Sequence, residues 1–489
     1  MFELVKNILF APLFVVILLL KLWFWFRILR RQLFPLDSIP GPKLAAWTRF
    51  WIVKTLASGD SAEKFVKVND QYGPLARIGP NHLITDDPTT IRRILGVRSG
   101  YRRGPWFDSI RIDPNIPNIV SQRDDDEHRA LRHKLAASYS GKNLRAMEMI
   151  IDEQISDWID LVRSKWISTA DQFISFDIGK RIQFLTVDII TKICLGEELG
   201  CVVSDHDKFD LLDTVQRGNK VCQHFSVLLE FNTLLYYLSN IPLLGPAIVP
   251  KPSDSSGVGR IMGIIHQAGE KHANQAPGTQ DSSMLNAFLE NGVPKDQIDA
   301  ELTIALVAGS DTTSTSVQST LLAICSNPRV YNALKMEIQI AVNRGLVSEI
   351  IQDSEARSLP YLHACVLEGL RKFPPLSQLR ERIVPPEGDC ILGYHVPGGT
   401  YIGINAWGTQ LDDVFGPDQE AFRPERWLIS DKERLQRMGQ TQELIFGYGS
   451  TRCLGMPMAM MELRKMIFEV RHAYNSPARH GSPADEEDK

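Results

Sequence analysis

The segment Phe446-Gly447-Tyr448-Gly449-Ser450-Thr451-Arg452-Cys453-Leu454-Gly455 constrains this chain more than any other. It sets one cysteine in a turn crowded with glycine, directly ahead of a helix-like run from Met456 to Val470. Glycines let the backbone approach a sulfur and aim N–H groups at it. The positive end of a helix favours the ionised thiol. A cysteine that merely fills a core requires neither. The pattern predicts a thiolate that binds a metal, the plainer alternative being a turn that happens to hold a cysteine.

The bulk of the chain sets the frame for that thiolate. Its 489 residues are 44% hydrophobic and 23% charged, an ordinary globular balance, and no linker divides them. With 54 basic against 58 acidic groups the net charge is −4, which offers no footprint for nucleic acid. The seven cysteines are dispersed, without paired or zinc-like spacing, as suits reduced thiols facing the cytosol. Helical patterns prevail, and strand-like pieces occur at Leu75 to Ile78, His82 to Thr85 and Cys390 to Tyr401. The fold class expected is mainly α with a small β region.

Ile8 to Phe26 is almost wholly apolar and just long enough to cross a bilayer core of roughly 30 Å. Arg27, Arg30 and Arg31 follow at once, which places the remainder on the cytosolic side. A cleaved signal peptide would have a shorter apolar core ending in small residues. One transmembrane helix is therefore expected, with residues 1–34 as anchor and basic flank. Ile39-Pro40-Gly41-Pro42 then forms a rigid turn into the globule.

Three further constellations carry chemistry. Asp124 to Arg132 opens a helix with acids in its first turn, and His128 and Arg132 share a face. A long helical pattern runs from about Lys295 to Ser326, between Pro294 and Pro328, with Ala308-Gly309-Ser310-Asp311-Thr312-Thr313 in its middle. Leu359 to Arg371 forms a shorter helix in which Glu368 and Arg371 pair among apolar neighbours, and Phe422 to Trp427 offers Arg426 as a third member.

In this order, these motifs resemble those of the cytochrome P-450 superfamily from Ile39 to Val470. The resemblance implies the P-450 fold over residues 35–470, and haem b with Cys453 as its axial iron ligand. It implies cofactor contacts from Phe446, Gly447, Gly449 and Gly455, with Ala308 and Gly309 beside the haem. His128, Arg132 and Arg382 would meet the haem propionates, with Arg380 as the competing candidate for the last. Asp311 and Thr312 would be the catalytic proton-delivery pair, and Glu368, Arg371 and Arg426 a structural triad. The chain departs from the family in having Thr451 where an arginine is usual, so Arg452 is the expected replacement. It departs again at Gly408 to Asp413, where a His-Arg pair is common and altered strand geometry is expected. Tyr101 to Phe107 and Ile116 to Val120 resemble fungal members related to pisatin demethylase.

The implied activity is a haem-thiolate monooxygenase at the endoplasmic reticulum membrane. It would use dioxygen (O2) to hydroxylate, demethylate or otherwise oxidise a small apolar molecule in fungal secondary metabolism or detoxification. No Gly-x-Gly-x-x-Gly fingerprint is present, so NADPH would act only through a cytochrome P-450 reductase, docking near Arg129, Lys134, Arg464 and Lys465. The pocket would be lined from Arg98 to Val120, Gln216 to Pro250 and Ala300 to Thr312. A haem-thiolate isomerase or dehydratase and an inactive haem-protein remnant are the alternatives. The remnant reading rests on residues 471–489, a polar tail too poor in apolar groups to order itself, expected as a truncation or splice product.

Overall fold

The computed structural model describes residues 35–473, apart from 141, 170, 243, 246–248 and 274–282, together with Lys21 and Trp23. The expected anchor lies almost wholly outside the described residues, and the tail beyond Ala473 lies outside them entirely. Among the described residues no helix is long and apolar enough to cross a membrane.

Helices make most of the structure. Those that build the site are α1 (Asp125–Ala136), α2 (Lys142–Lys165), α3 (Ile178–Leu195), α4 (Leu211–Phe225), α5 (Lys295–Cys325), α6 (Pro360–Lys372) and α7 (Met456–Ala473). The predicted long helix is α5, bounded by Pro294 and by Asn327-Pro328, as residues before proline avoid helical backbone. It lies on α3 along much of its length and is also packed by α6 and α7. Several of its hydroxyls are satisfied within the helix, although the buried Thr320 hydroxyl is not. Thr303 donates to the Asp299 carbonyl at 2.6 Å, and Ser310, Thr312, Ser316 and Ser319 each donate to the carbonyl four residues earlier at 2.8 Å. That back-bonding lets a polar helix be buried. Ile155, Trp158, Phe184, Ile190, Val317, Leu362, Met466 and Phe468 belong to one apolar core spanning α2, α3, α5, α6 and α7.

Among the described residues there are seven short strands: β1 (Leu75–Gly79), β2 (His82–Thr85), β3 (Arg102–Arg103), β4 (Arg382–Ile383), β5 (Asp389–Ile391), β6 (Tyr394–Val396) and β7 (Tyr401–Ile404). Five of them form a sheet in the order β1-β2-β7-β4-β3, with β2 and β7 parallel. The β3–β4 pairing sets Arg103 opposite Arg382. The strand-like piece at Cys390 to Tyr401 is not continuous. Leu392 and Gly393 both take positive φ (49° and 84°), the geometry of a tight hairpin, and split it into β5 and β6 before β7 begins. At the departure from Gly408 to Asp413 the chain forms a short helix, Ala406–Thr409, capped by Asn405.

The triad exists and is larger than expected. The Glu368 carboxylate accepts from Arg371 Nε and Nη2 at 2.9 and 2.8 Å, Arg426 Nε at 3.0 Å, Trp427 Nε1 at 2.9 Å and the Arg423 N–H at 2.9 Å. Arg371 also donates to the carbonyls of Gln410 and Ala421, and Arg426 to those of Phe415, Asp418 and Ala421. All three charged side chains are buried, and such a group is tolerated only when its donors and acceptors are filled. Their shared bonds tie α6 to the chain from Gln410 to Trp427. Replacing Glu368 with Gln leaves two buried guanidinium groups without their anion. A loss of about 3–5 kcal/mol in urea unfolding is expected, and an unchanged midpoint would contradict it.

Candidate functional site

The cysteine turn holds its shape through two left-handed glycines. Gly447 has φ 78°, and a Cβ there would lie 2.7 Å from the Thr451 carbonyl oxygen. Gly449 has φ 59°, and its Cβ would lie 2.6 Å from the Leu95 carbonyl oxygen. The Cys453 N–H donates to the Phe446 carbonyl at 2.7 Å, closing the turn over the start of α7. The N–H groups of Gly455 and Met456 face the sulfur. Burial pushes the Cys453 thiol up, while those two donors and Arg132 act against it. The sulfur lies deep among protein atoms, yet the residue keeps an open surface.

Guanidinium groups gather near the cysteine turn. Arg103 Nη2 lies 2.7 Å from His128 Nε2, and Arg103 Nη1 donates to the Gln122 carbonyl. Arg382 Nη2 donates to Thr451 Oγ1 at 3.3 Å, linking β4 to the cysteine turn. Arg103 and Arg382 both stand over the Phe107 ring, 5.4 and 5.0 Å from its centre. Arg132, on α1 one turn beyond His128, senses the charge of Cys453. Burial pushes Arg103 down to about 10 and Arg382 to about 9, and it lowers Arg132. Burial, then the surrounding arginines, push His128 down to about 3, so its imidazole is neutral. None of the three arginines has a carboxylate within salt-bridge distance among the described residues. Buried cations left without anions are costly, so this cluster suits a ligand bearing carboxylates, which the planar guanidinium fork matches.

Arg452 is not part of the cluster. It turns to the surface, where Nη2 donates to Glu443 Oε2 at 3.1 Å with both side chains about half exposed. Thr451, its neighbour, faces Arg382 instead. On α5, Ala308 is exposed in mid-helix and Thr312 lies one turn further along the same face. The helix is unbroken there, with the Thr312 hydroxyl bonded to the Ala308 carbonyl rather than opening the ladder. Gly309 lies against α3. A Cβ on it would lie 2.8 Å from Ile190 Cγ1, so its smallness lets α5 approach α3. Burial raises the Asp311 carboxyl, and its Oδ2 accepts from Asn219 Nδ2 of α4 at 3.4 Å.

A sequence model described as cytochrome P450 matches residues 40–482. The chain belongs to the cytochrome P450 family. It is 35% identical to the cytochrome P450 monooxygenase ABA1 of Pyricularia oryzae over 90% of this chain and 87% of that protein. It is 35% identical to aba1 of Botryotinia fuckeliana over 91% and 88%, and 30% identical to the monooxygenase cicH of Emericella nidulans over 95% and 91%. This P450 is an oxidoreductase of the monooxygenase class. The family carries haem, and the residues here fit it: a sulfur with two N–H donors, and buried arginines in need of carboxylates.

Sequence reading passed over two members of this P450's site. Arg103 lies in the quoted stretch Tyr101 to Phe107, yet only the β3–β4 pairing shows that it belongs beside Arg382. Glu301, on α5, accepts the Ile119 N–H at 2.8 Å and Gln297 Nε2 at 2.7 Å, and so fastens the segment from Ile116 to Val120 to the helix. Two basic residues assigned to partner docking are not available for it. Arg464 is buried against Asp353, and Lys465 is fully buried between Glu148 and Asp152. Arg129 and Lys134 are exposed.

Glu301 gives a test of that fastening. Burial pushes its carboxyl up to about 7, against the two hydrogen bonds that lower it. A carboxyl raised in the folded state stabilises most below its unfolded pKa and loses that advantage as pH rises towards the folded value. The stability of the parent chain relative to Glu301→Gln should therefore fall by on the order of 3 kcal/mol between about pH 4.5 and 7 and then level off. Parallel urea-midpoint profiles for the two proteins would contradict the assignment.

Proposed function

We propose that this P450 binds haem b with Cys453 as the iron ligand and inserts one atom of O2 into a small apolar molecule. The observation that carries the proposal is the set of three guanidinium groups, buried Arg103 and Arg382 with half-buried Arg132, that have no carboxylate partner among the described residues and lie near Cys453. Arg103, Arg132 and Arg382 hold the haem carboxylates, and neutral His128 shares their hydrogen bonds. The N–H groups of Gly455 and Met456 favour the ionised sulfur against the burial that raises its pKa. Bound haem supplies the activation of dioxygen, with thiolate donation favouring O–O cleavage.

The α5 residues manage protons. Asp311, whose affinity for a proton burial has raised, directly precedes Thr312 on α5, and Asn219 donates to its carboxyl. The second oxygen atom leaves as water, which requires two electrons and two protons. A membrane-bound NADPH-dependent reductase delivers the electrons, and exposed Arg129 and Lys134 are candidates for its contact. Residues 8–26 anchor the chain in the endoplasmic reticulum membrane, with the domain over 35–470 facing the cytosol. The fungal relatives support a role in secondary metabolism or detoxification.

The test is turnover of the full chain with reductase, NADPH and isotopically labelled dioxygen. One labelled oxygen atom per oxidised product is expected. Asp311→Asn or Thr312→Ala should lower product formation by about 10²-fold and raise hydrogen peroxide released per NADPH. Product formed without label and without NADPH would instead favour the haem-thiolate isomerase reading.

A further inference from the structure

Arg380 has no role in the arrangement described so far. It lies in the connection from α6 to β4, two residues before Arg382. Its guanidinium lies deep in the protein, near Arg382, and the residue retains some open surface. Among the described residues it forms no hydrogen bond or ion pair through its side chain, and Nε is buried without an acceptor. No charged group offsets its burial, which pushes it down to about 10. Asp125 eases Arg103 and Arg382 but not Arg380, and Arg380 itself opposes the charge on Arg382.

The backbone supports a functional reason for this placement. Arg380 has φ 46°, a left-handed conformation that residues with a Cβ adopt at a cost. The neighbours on each side fix it there. The Leu379 carbonyl accepts from the Ile404 N–H at 2.8 Å, and the Glu381 carbonyl from the Gly104 N–H at 3.0 Å. The Leu379 side chain packs in the core with Ile52, Phe65 and Ile84, and Glu381 lies against His82. Strain held in this way by surrounding structure marks a position where the side chain is wanted.

Charge then separates Arg380 from the cofactor's own needs. A haem brings two carboxylates, and Arg103, Arg132 and Arg382 already exceed that number. The fourth cation therefore calls for a further anion, and substrate is its source. We propose that Arg380 anchors the carboxylate of the substrate, which makes the substrate class an apolar monocarboxylic acid. This rests on the haem-thiolate reading above. The guanidinium fork forms charge-assisted hydrogen bonds with one end of such a molecule and so determines which part of its apolar body meets the reacting centre.

The test uses the full chain, haem-loaded and detergent-solubilised, with dodecanoic acid, 1-adamantanecarboxylic acid and the methyl ester of each as probes. Calorimetry and the haem Soret shift report binding, and the carbon-monoxide difference spectrum reports the state of the haem. At least one acid should bind about tenfold to a hundredfold more tightly than its ester. Arg380→Gln should abolish that preference with haem content unchanged, and Arg380→Lys should restore most of it. Neither acid being preferred, or the preference surviving in Arg380→Gln, would overturn the proposal. Loss of haem from Arg380→Gln would also overturn it, by assigning Arg380 to the cofactor's carboxylates. Absence of thiolate-ligated haem in the parent chain would instead sink the reading on which the proposal rests.

Discussion

Guanidinium groups withdrawn from water need anions, and this fold meets that need in two different ways. Around Glu368 the account is closed: its carboxylate and a ring of carbonyl oxygens accept from Arg371 and Arg426, and the carboxylate also accepts the Trp427 indole N–H. Around Cys453 it stays open. Arg103, Arg132 and Arg382 converge there with no carboxylate within salt-bridge distance among the described residues, and burial depresses all three. The same residue type thus acts as a rivet in one place and as a receptor in the other. The difference lies in whether the chain itself provides the anion.

Packing of α5 connects the two regions. Gly309 admits Ile190 of α3, and Gly369 of α6 admits Thr320 of α5, where a Cβ would come within 1.9 Å of the hydroxyl oxygen. These close approaches fix the rotation of α5 and hence the direction of Ala308, Asp311 and Thr312. They also fix α6, whose Glu368 and Arg371 hold the chain from Gln410 to Trp427. Side chains so confined have few alternatives, which is what a site that must orient a substrate requires.

Features set by local chemistry were legible in the sequence. Prolines marked the ends of α5, glycines marked the cysteine turn, and charges with apolar neighbours marked Glu368 and Arg371. Features set by distant partners or by rotation were not. Arg103 could be recognised only through a two-residue strand paired with one far along the chain. Adjacent helical positions differ by about 100°, so Ala308 and Gly309 could not both face one side. Whether Thr451 or Arg452 turns inward depends on the tight turn from Gly449 to Thr451, whose backbone the residue types alone do not determine. Arg464 and Lys465 looked like surface charge because Asp353, Glu148 and Asp152 lie elsewhere in the sequence. The hairpin at Leu392-Gly393 was hidden because only one of its two positive-φ residues is glycine.

The central claim is that Cys453 and the open arginine cluster hold a single haem. Its most direct test is the carbon-monoxide difference spectrum of the reduced full-length chain, compared with those of Cys453→Ser and of Arg103→Leu combined with Arg132→Leu. The account predicts a strongly red-shifted Soret band in the parent, loss of that band in Cys453→Ser, and a marked fall in bound haem in the double arginine variant. Retention of the red-shifted band in Cys453→Ser, or full haem content without Arg103 and Arg132, would contradict it.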